Sequence, residues 1–296
     1  MRWPTELITI ISGLVVIITG VVAAWRFIVR WRRKHKTPIT KNEVSLLADR
    51  FIDLFKAHGI ERTQIPRFLG EPYNLTLSDV STNTTLLTRL DENILSAVCE
   101  LFGVQREWLD KGSVPMYTQL SFYKDMNRYV GFLSEITKKY DRVQGFAIKS
   151  PEDKLKKTGN RLPIALLFQV YIGILDDEPI YKYYLADDEW YWDYDRTRIQ
   201  LKAMFFAAFQ FQVFICGCEL PKSEIKNLIA GRAFPGPLVN NLNCVRWHPD
   251  EYICTSEESP VAIDSKEALI AREYMANTGW LQKLENITGK KAVFSL

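Results

Sequence analysis

Apolar side chains recur at helical spacing in residues 42–58, where Val44, Leu46, Leu47, Phe51, Ile52, Leu54 and Phe55 fall on one stripe that ends at Gly59. A shorter helix is expected over residues 62–69. It stops at Gly70, and Pro66 confines it to about one turn. Ser, Thr and Asn crowd residues 74–90, residue types that cap and turn as readily as they propagate a helix. A helix over 75–80 and another over 84–102, broken near Asp91, fit the remaining apolar positions. Asp91 or Asn93 is the expected cap of the stretch carrying Ile94, Leu95, Val98, Cys99 and Leu101.

Past residue 115 the pattern changes. Residues 122–140 read as an amphipathic helix, 142–149 as a short strand, and the lysine-rich 150–160 as a solvated connection. The apolar runs 162–175 and 180–185 flank Asp176, Asp177, Glu178 and Pro179, the pattern of a hairpin with an acidic turn. Residues 190–214 suit a buried helix, or one passing into a strand at 210–216, and residues 265–277 and 280–286 suit a helical hairpin. Helix, strand, hairpin, helix, strand is an order similar to small α+β sensor modules of the PAS or GAF kind. That is an analogy of element order without a motif.

Before all this, residues 7–25 are 19 uncharged and mostly aliphatic positions, about 28 Å as a helix, which matches the hydrocarbon core of a bilayer. Arg26, Arg30, Arg32, Arg33, Lys34 and Lys36 follow with no acid among them. Cations after the apolar run, not before it, argue against a cleaved signal peptide and place the C-terminal side in the cytoplasm. A membrane-interface role is expected for Trp25, Arg26, Arg30, Arg32, Arg33 and Lys34, with the lipid bilayer as partner.

The stretch LFGVQREWLDKG, residues 101–112, resembles the end of a phage-repressor (Cro/CI, XRE) type helix-turn-helix domain, and the resemblance extends over about 45–112. It implies duplex DNA as a partner. Gln64 and Arg67 would meet phosphate, while Ser78, Thr82, Asn83, Thr84 and Arg89 would lie on the recognition side. Two features depart from the family: Pro66 sits where a small residue is usual, and Pro72 falls just after the turn. Residues 41–111 hold eight cations against eleven acids, a balance of −3 where DNA contact calls for a basic face.

Composition sharpens this picture. The chain of 296 residues has a net charge of +3, and the basic run at 26–36 accounts for more than that excess. The remainder is no general binder of polyanions. Five cysteines, Cys99, Cys216, Cys218, Cys244 and Cys254, form no disulfide framework, and reduced thiols fit a cytoplasmic setting. Cys216, Cys218, Cys244, Cys254 and His248 have the ligand types for zinc without its spacing, so no metal and no cofactor is expected. The acids Asp176, Asp177, Glu178 and Asp187, Asp188, Glu189 fall at turns, where solvated carboxylates are ordinary. Tyr181, Tyr183, Tyr184, Trp190, Tyr191, Trp192 and Tyr194 can line a pocket or fill a core. No nucleophile-and-base set and no phosphate loop stands out, so nothing argues for an enzyme and no catalytic residue is expected.

The expected fold class is α+β: an N-terminal transmembrane helix and basic run (1–36), an all-α helix-turn-helix-like domain (37–115) and an α+β module (116–296). The expected function is a membrane-tethered regulator, single-pass in a bacterial inner membrane with its N-terminus outside, coupling a helix-turn-helix domain to a sensing module. The alternative is a membrane-anchored scaffold or defence component. In that reading the helix-turn-helix domain, or the membrane helix, binds a protein partner or a second copy of the chain.

Overall fold

The computed structural model describes residues 43–159, 161–186, 190–240 and 247–290. The first apolar stripe becomes helix α1 (Glu43–Ala57), which buries Ala48, Phe51, Leu54 and Phe55. A 3-10 turn, Arg62–Gln64, leads into α2 (Ile65–Leu69), with Pro66 in the first turn, where a missing N–H does no harm. Three more helices follow: α3 (Asn83–Leu87), α4 (Glu92–Phe102) and α5 (Arg106–Lys111). Left-handed Gly103 and Gly112 end α4 and α5.

Asp91 caps α4, its carboxylate accepting from the backbone N–H of Ile94 at 2.9 Å. Removing that acceptor in Asp91→Ala lowers stability by about 1 kcal/mol. A urea midpoint unchanged by the substitution would show that the cap contributes nothing.

The sheet takes its strands from the rest of the chain: β1 (Gln119–Leu120), β2 (Val143–Lys149), β3 (Pro163–Leu175), β4 (Glu178–Ala186), β5 (Trp190–Tyr191) and β6 (Ile215–Glu219). Its order is β1-β4-β3-β2-β6, with β5 on β3. β2, β3 and β4 pair antiparallel, whereas β1 on β4 and β6 on β2 are parallel, so the sheet is mixed. Helix α6 (Met126–Lys139) precedes β2, α7 (Asp195–Gln210) precedes β6, and α8 (Lys222–Ile229), α9 (Pro235–Val239), α10 (Ser265–Asn277) and α11 (Trp280–Thr288) follow.

β3 reads as a continuous apolar run because both of its faces are covered over Pro163–Val170. Ala165 and Leu167 enter one core with α1, α4 and α5. Ile164, Leu166, Phe168 and Val170 enter the other, with α6, α7 and α11. Asp176 and Asp177 join β3 to β4 with φ of 51° and 66°. A two-residue hairpin turn with both central residues left-handed suits the twist of the strands, and Asp tolerates that region. A register shift between Tyr171 and Gly173 bends the distal hairpin, and Leu175 and Ile180 join the core of the repressor-like helices.

The expected fold class is corrected in three respects. Residues 43–296 form one compact unit of mixed α/β class, and the helices of the repressor-like segment are one layer of it, sharing a core with Phe146, Leu167, Tyr183 and Leu185 of the sheet. A free-standing all-α domain would have to close its core on itself, whereas here that apolar surface is buried on β2, β3 and β4. The PAS or GAF analogy gives way to a mixed sheet with parallel pairs at both edges and helices on both faces. Among the described residues no helix is long and apolar enough to cross a membrane. The span at 7–25, and with it Trp25, Arg26, Arg30, Arg32, Arg33 and Lys34, lies outside the described residues.

Candidate functional site

The repressor resemblance directs attention to the surface between α2 and α3. In place of a recognition helix over 75–80 the chain runs in turns. Gly70 O accepts from the N–H groups of Tyr73 and Asn74 at 3.1 Å, and Thr76 O accepts from Val80 N at 3.3 Å. Leu75 and Val80 are buried and pin the segment. Thr76 turns its N–H and hydroxyl to the Asp79 carboxylate, each at 2.8 Å, a local alternative to helical hydrogen bonding. Those bonds, the backbone N–H first, hold Asp79 below the usual carboxylate range.

Most of the sequence-expected contacts are already made within the chain. Gln64 Nε2 donates to Asp176 Oδ2 at 2.7 Å, and the Arg67 guanidinium pairs with the same oxygen. Arg67 and then Gln64 draw the exposed Asp176 carboxyl below its ordinary range. Thr82 caps α3 by accepting from Thr85 N at 3.1 Å. Asn83 Nδ2 donates to Asp49 Oδ1 at 2.7 Å, tying α3 to α1. Arg89 faces Asp79 at 3.7 Å. The side chains of Ser78 and Thr84 remain exposed. A duplex reader needs a helix that enters the major groove with successive side chains free for base edges. Residues 70–82 offer turns instead, with two acids, Asp79 and Asp176, seated against the cations.

Where this layer meets the distal hairpin lies an open groove of about 660 Å³, walled by Phe68, Leu69, Tyr73 and Leu101 on one side and Ile172 and Ile174 on the other. Arg67 and Asp176 lie at this groove. The apolar walls with one ion pair can take up apolar surface but bring no nucleophile or base together.

The other candidate chemistry disperses. Cys216 Sγ accepts from Gln144 Nε2 at 3.0 Å, and Gln144 Oε1 accepts from Gln169 Nε2 at 2.9 Å, a polar row across β3, β2 and β6. Cys218 is disulfide-bonded, which corrects the expectation of wholly reduced thiols, while Cys99, Cys216 and Cys254 are free. Burial pushes the Cys99 thiol up to about 11. Among the described residues no three metal-capable side chains converge. Cys244 and the acids Asp187, Asp188 and Glu189 lie outside the described residues. Of the expected aromatic set, Tyr183, Trp190 and Trp192 are core, and Tyr194 is exposed.

Set against protein-family models, curated proteins and solved structures, the chain matches none of them.

Proposed function

We propose that residues 43–296 are a regulatory interaction module whose repressor-like layer works through contact with protein, not DNA. One observation carries this reading: the side chains expected to meet phosphate, Gln64 and Arg67, are both committed to Asp176 of the sheet's own hairpin. Three further facts support it: the shared core, the missing recognition helix and the local charge of −3 over residues 41–111. On the other face of the sheet, Ile263, Leu269 and Ile270, in and just before α10, are apolar and exposed. Apolar side chains grouped in this way commonly mark protein-contact surface.

Full-length protein titrated with duplex DNA across a salt series is expected to show no saturable binding even at low salt. Saturable binding that weakens as salt rises, and is reduced in Arg67→Ala and Arg89→Ala, would overturn the proposal and restore the DNA-binding reading.

A further inference from the structure

On the face of the sheet away from the repressor-like layer, a cavity of about 300 Å³ opens between the loop before α6, the first turns of α7 and the last turn of α10. Tyr123 and Tyr274 supply aromatic walls, Lys124 and Arg196 supply charge, and Thr197 and Gln200 line its base. The walls are firmly placed. Tyr123 packs on Trp190 with ring centroids 5.7 Å apart, and Gln200 Nε2 donates to Phe122 O at 3.2 Å. Lys124 holds a left-handed backbone, φ 59°, and its ammonium lies 4.9 Å from the centre of the Tyr123 ring.

The charge balance is what marks this place. Further along α7, Arg198 and Lys202 are neutralised by Glu267 and Asp264. Among the described residues no carboxylate lies within ion-pair distance of Lys124 or Arg196. The neighbouring acids are turned to backbone, Asp125 accepting from Arg128 N and Asp195 from Arg196 N. Because Asp195 already occupies the Arg196 N–H, an anion at this cavity must be held by side chains. A guanidinium and an ammonium lining one cavity suit the oxygens of a phosphate, and tyrosine rings suit a planar ligand. A volume near the lower end of ligand cavities, roughly 300 Å³, suits a ligand of mononucleotide size.

We propose that this cavity binds a phosphorylated aromatic ligand of the mononucleotide class, with Arg196 and Lys124 on the phosphate and Tyr123 and Tyr274 on the ring. The site shares no residue with the groove beside α2 and does not depend on how the repressor-like layer acts.

Calorimetric titration of the full-length protein with AMP, GMP, CMP and UMP tests it, with the four nucleosides and inorganic phosphate as separate arms. At least one nucleotide is expected to bind one to one. Its nucleoside and phosphate alone should each bind at least tenfold more weakly, and the affinity should fall as salt rises. Arg196→Gln and Lys124→Gln, both exposed and so tolerated by the fold, should each weaken binding at least tenfold without moving the melting temperature. Tyr274→Ala should abolish the preference for nucleotide over phosphate. The proposal fails if none of the four nucleotides binds, if phosphate binds as tightly as the nucleotide, or if the double Lys124→Gln, Arg196→Gln variant binds undiminished.

Discussion

Replacing Glu267 by alanine lowers stability by about 3–5 kcal/mol, because it leaves two buried cations with a single carboxylate between them. The Glu267 carboxylate receives Arg198 Nε at 2.8 Å and its terminal nitrogen at 2.8 Å, and Lys202 Nζ at 2.9 Å. Arg198 and Lys202 expose only 5% and 0% of their side chains, too little for water to replace the lost partner. Arg198 keeps the Trp192 carbonyl at 2.6 Å and Lys202 keeps Asp264 at 3.0 Å, so each retains a neighbour, but the pair keeps one carboxylate where it had two. Urea unfolding near neutral pH measures the loss, and Glu267→Gln should fall between wild type and Glu267→Ala. Exchanging the ion pair for apolar side chains in Arg198→Met with Glu267→Leu should destabilise less than Glu267→Ala alone, because the uncompensated charge is then gone. A loss below about 1 kcal/mol in Glu267→Ala would mean that the cluster behaves as a surface pair.

That cluster was not legible in the sequence. Arg198 and Glu267 stand 69 positions apart, and nothing in the pattern of α10 marks Glu267 as buried. The hairpin was legible, because strand length, β-branched content and an acidic turn act locally, and Asp176 and Asp177 adopt the turn that their side chains permit. α1, the break at Asp91 and the helical pair at the C-terminus were legible for the same reason: periodicity and capping are properties of neighbours.

The repressor-like segment misled at the level above. Its helices lie close to where the apolar positions place them, but a helical stripe does not say whether it meets another helix or a sheet. Phe102 and Leu109 are wholly buried in a core that includes Leu167 and Leu185 of β3 and β4. The candidate DNA residues are held by charge and turn chemistry that the helical pattern does not show. Thr76 with Asp79, and Gln64 with Arg67 and Asp176, bond to one another within the chain. The −3 balance of residues 41–111 carried that information in the sequence, whereas the reach from Arg67 to Asp176 did not. The cavity beside Tyr123 and Arg196 was invisible for the same reason, its walls coming from three separated stretches.

Below neutral pH the protein loses stability at His58 before its carboxylates are protonated. His58 Nδ1 donates to Leu54 O at 2.7 Å, which leaves Nε2 bare, buried and without a partner among the described residues. Its ring lies 4.2 Å from Phe102 and 5.5 Å from Tyr183, so a second proton would enter an aromatic core with no acceptor. Burial therefore lowers the imidazole to about 4, against the opposing pull of the Leu54 carbonyl. The unfolded chain binds this proton near pH 6.5 and the folded chain only near 4, so between those values acid favours unfolding. At about 1.4 kcal/mol for each pH unit of that window, the loss approaches about 3 kcal/mol. Glu267 acts in the window below. Burial alone would raise its carboxyl, but Arg198 and Lys202 hold it down to about 2, so its contribution is present above pH 4.5 and lost as pH falls towards 2. Asp153 works in the opposite sense, since burial raises its carboxyl, and a difference between variants is therefore the cleaner measurement. His58→Phe keeps a ring of similar shape and loses one hydrogen bond, about 1 kcal/mol at neutral pH. Urea unfolding from pH 7 to 4 should then give a shallower slope for His58→Phe than for wild type. Parallel slopes would place the acid sensitivity elsewhere in the fold.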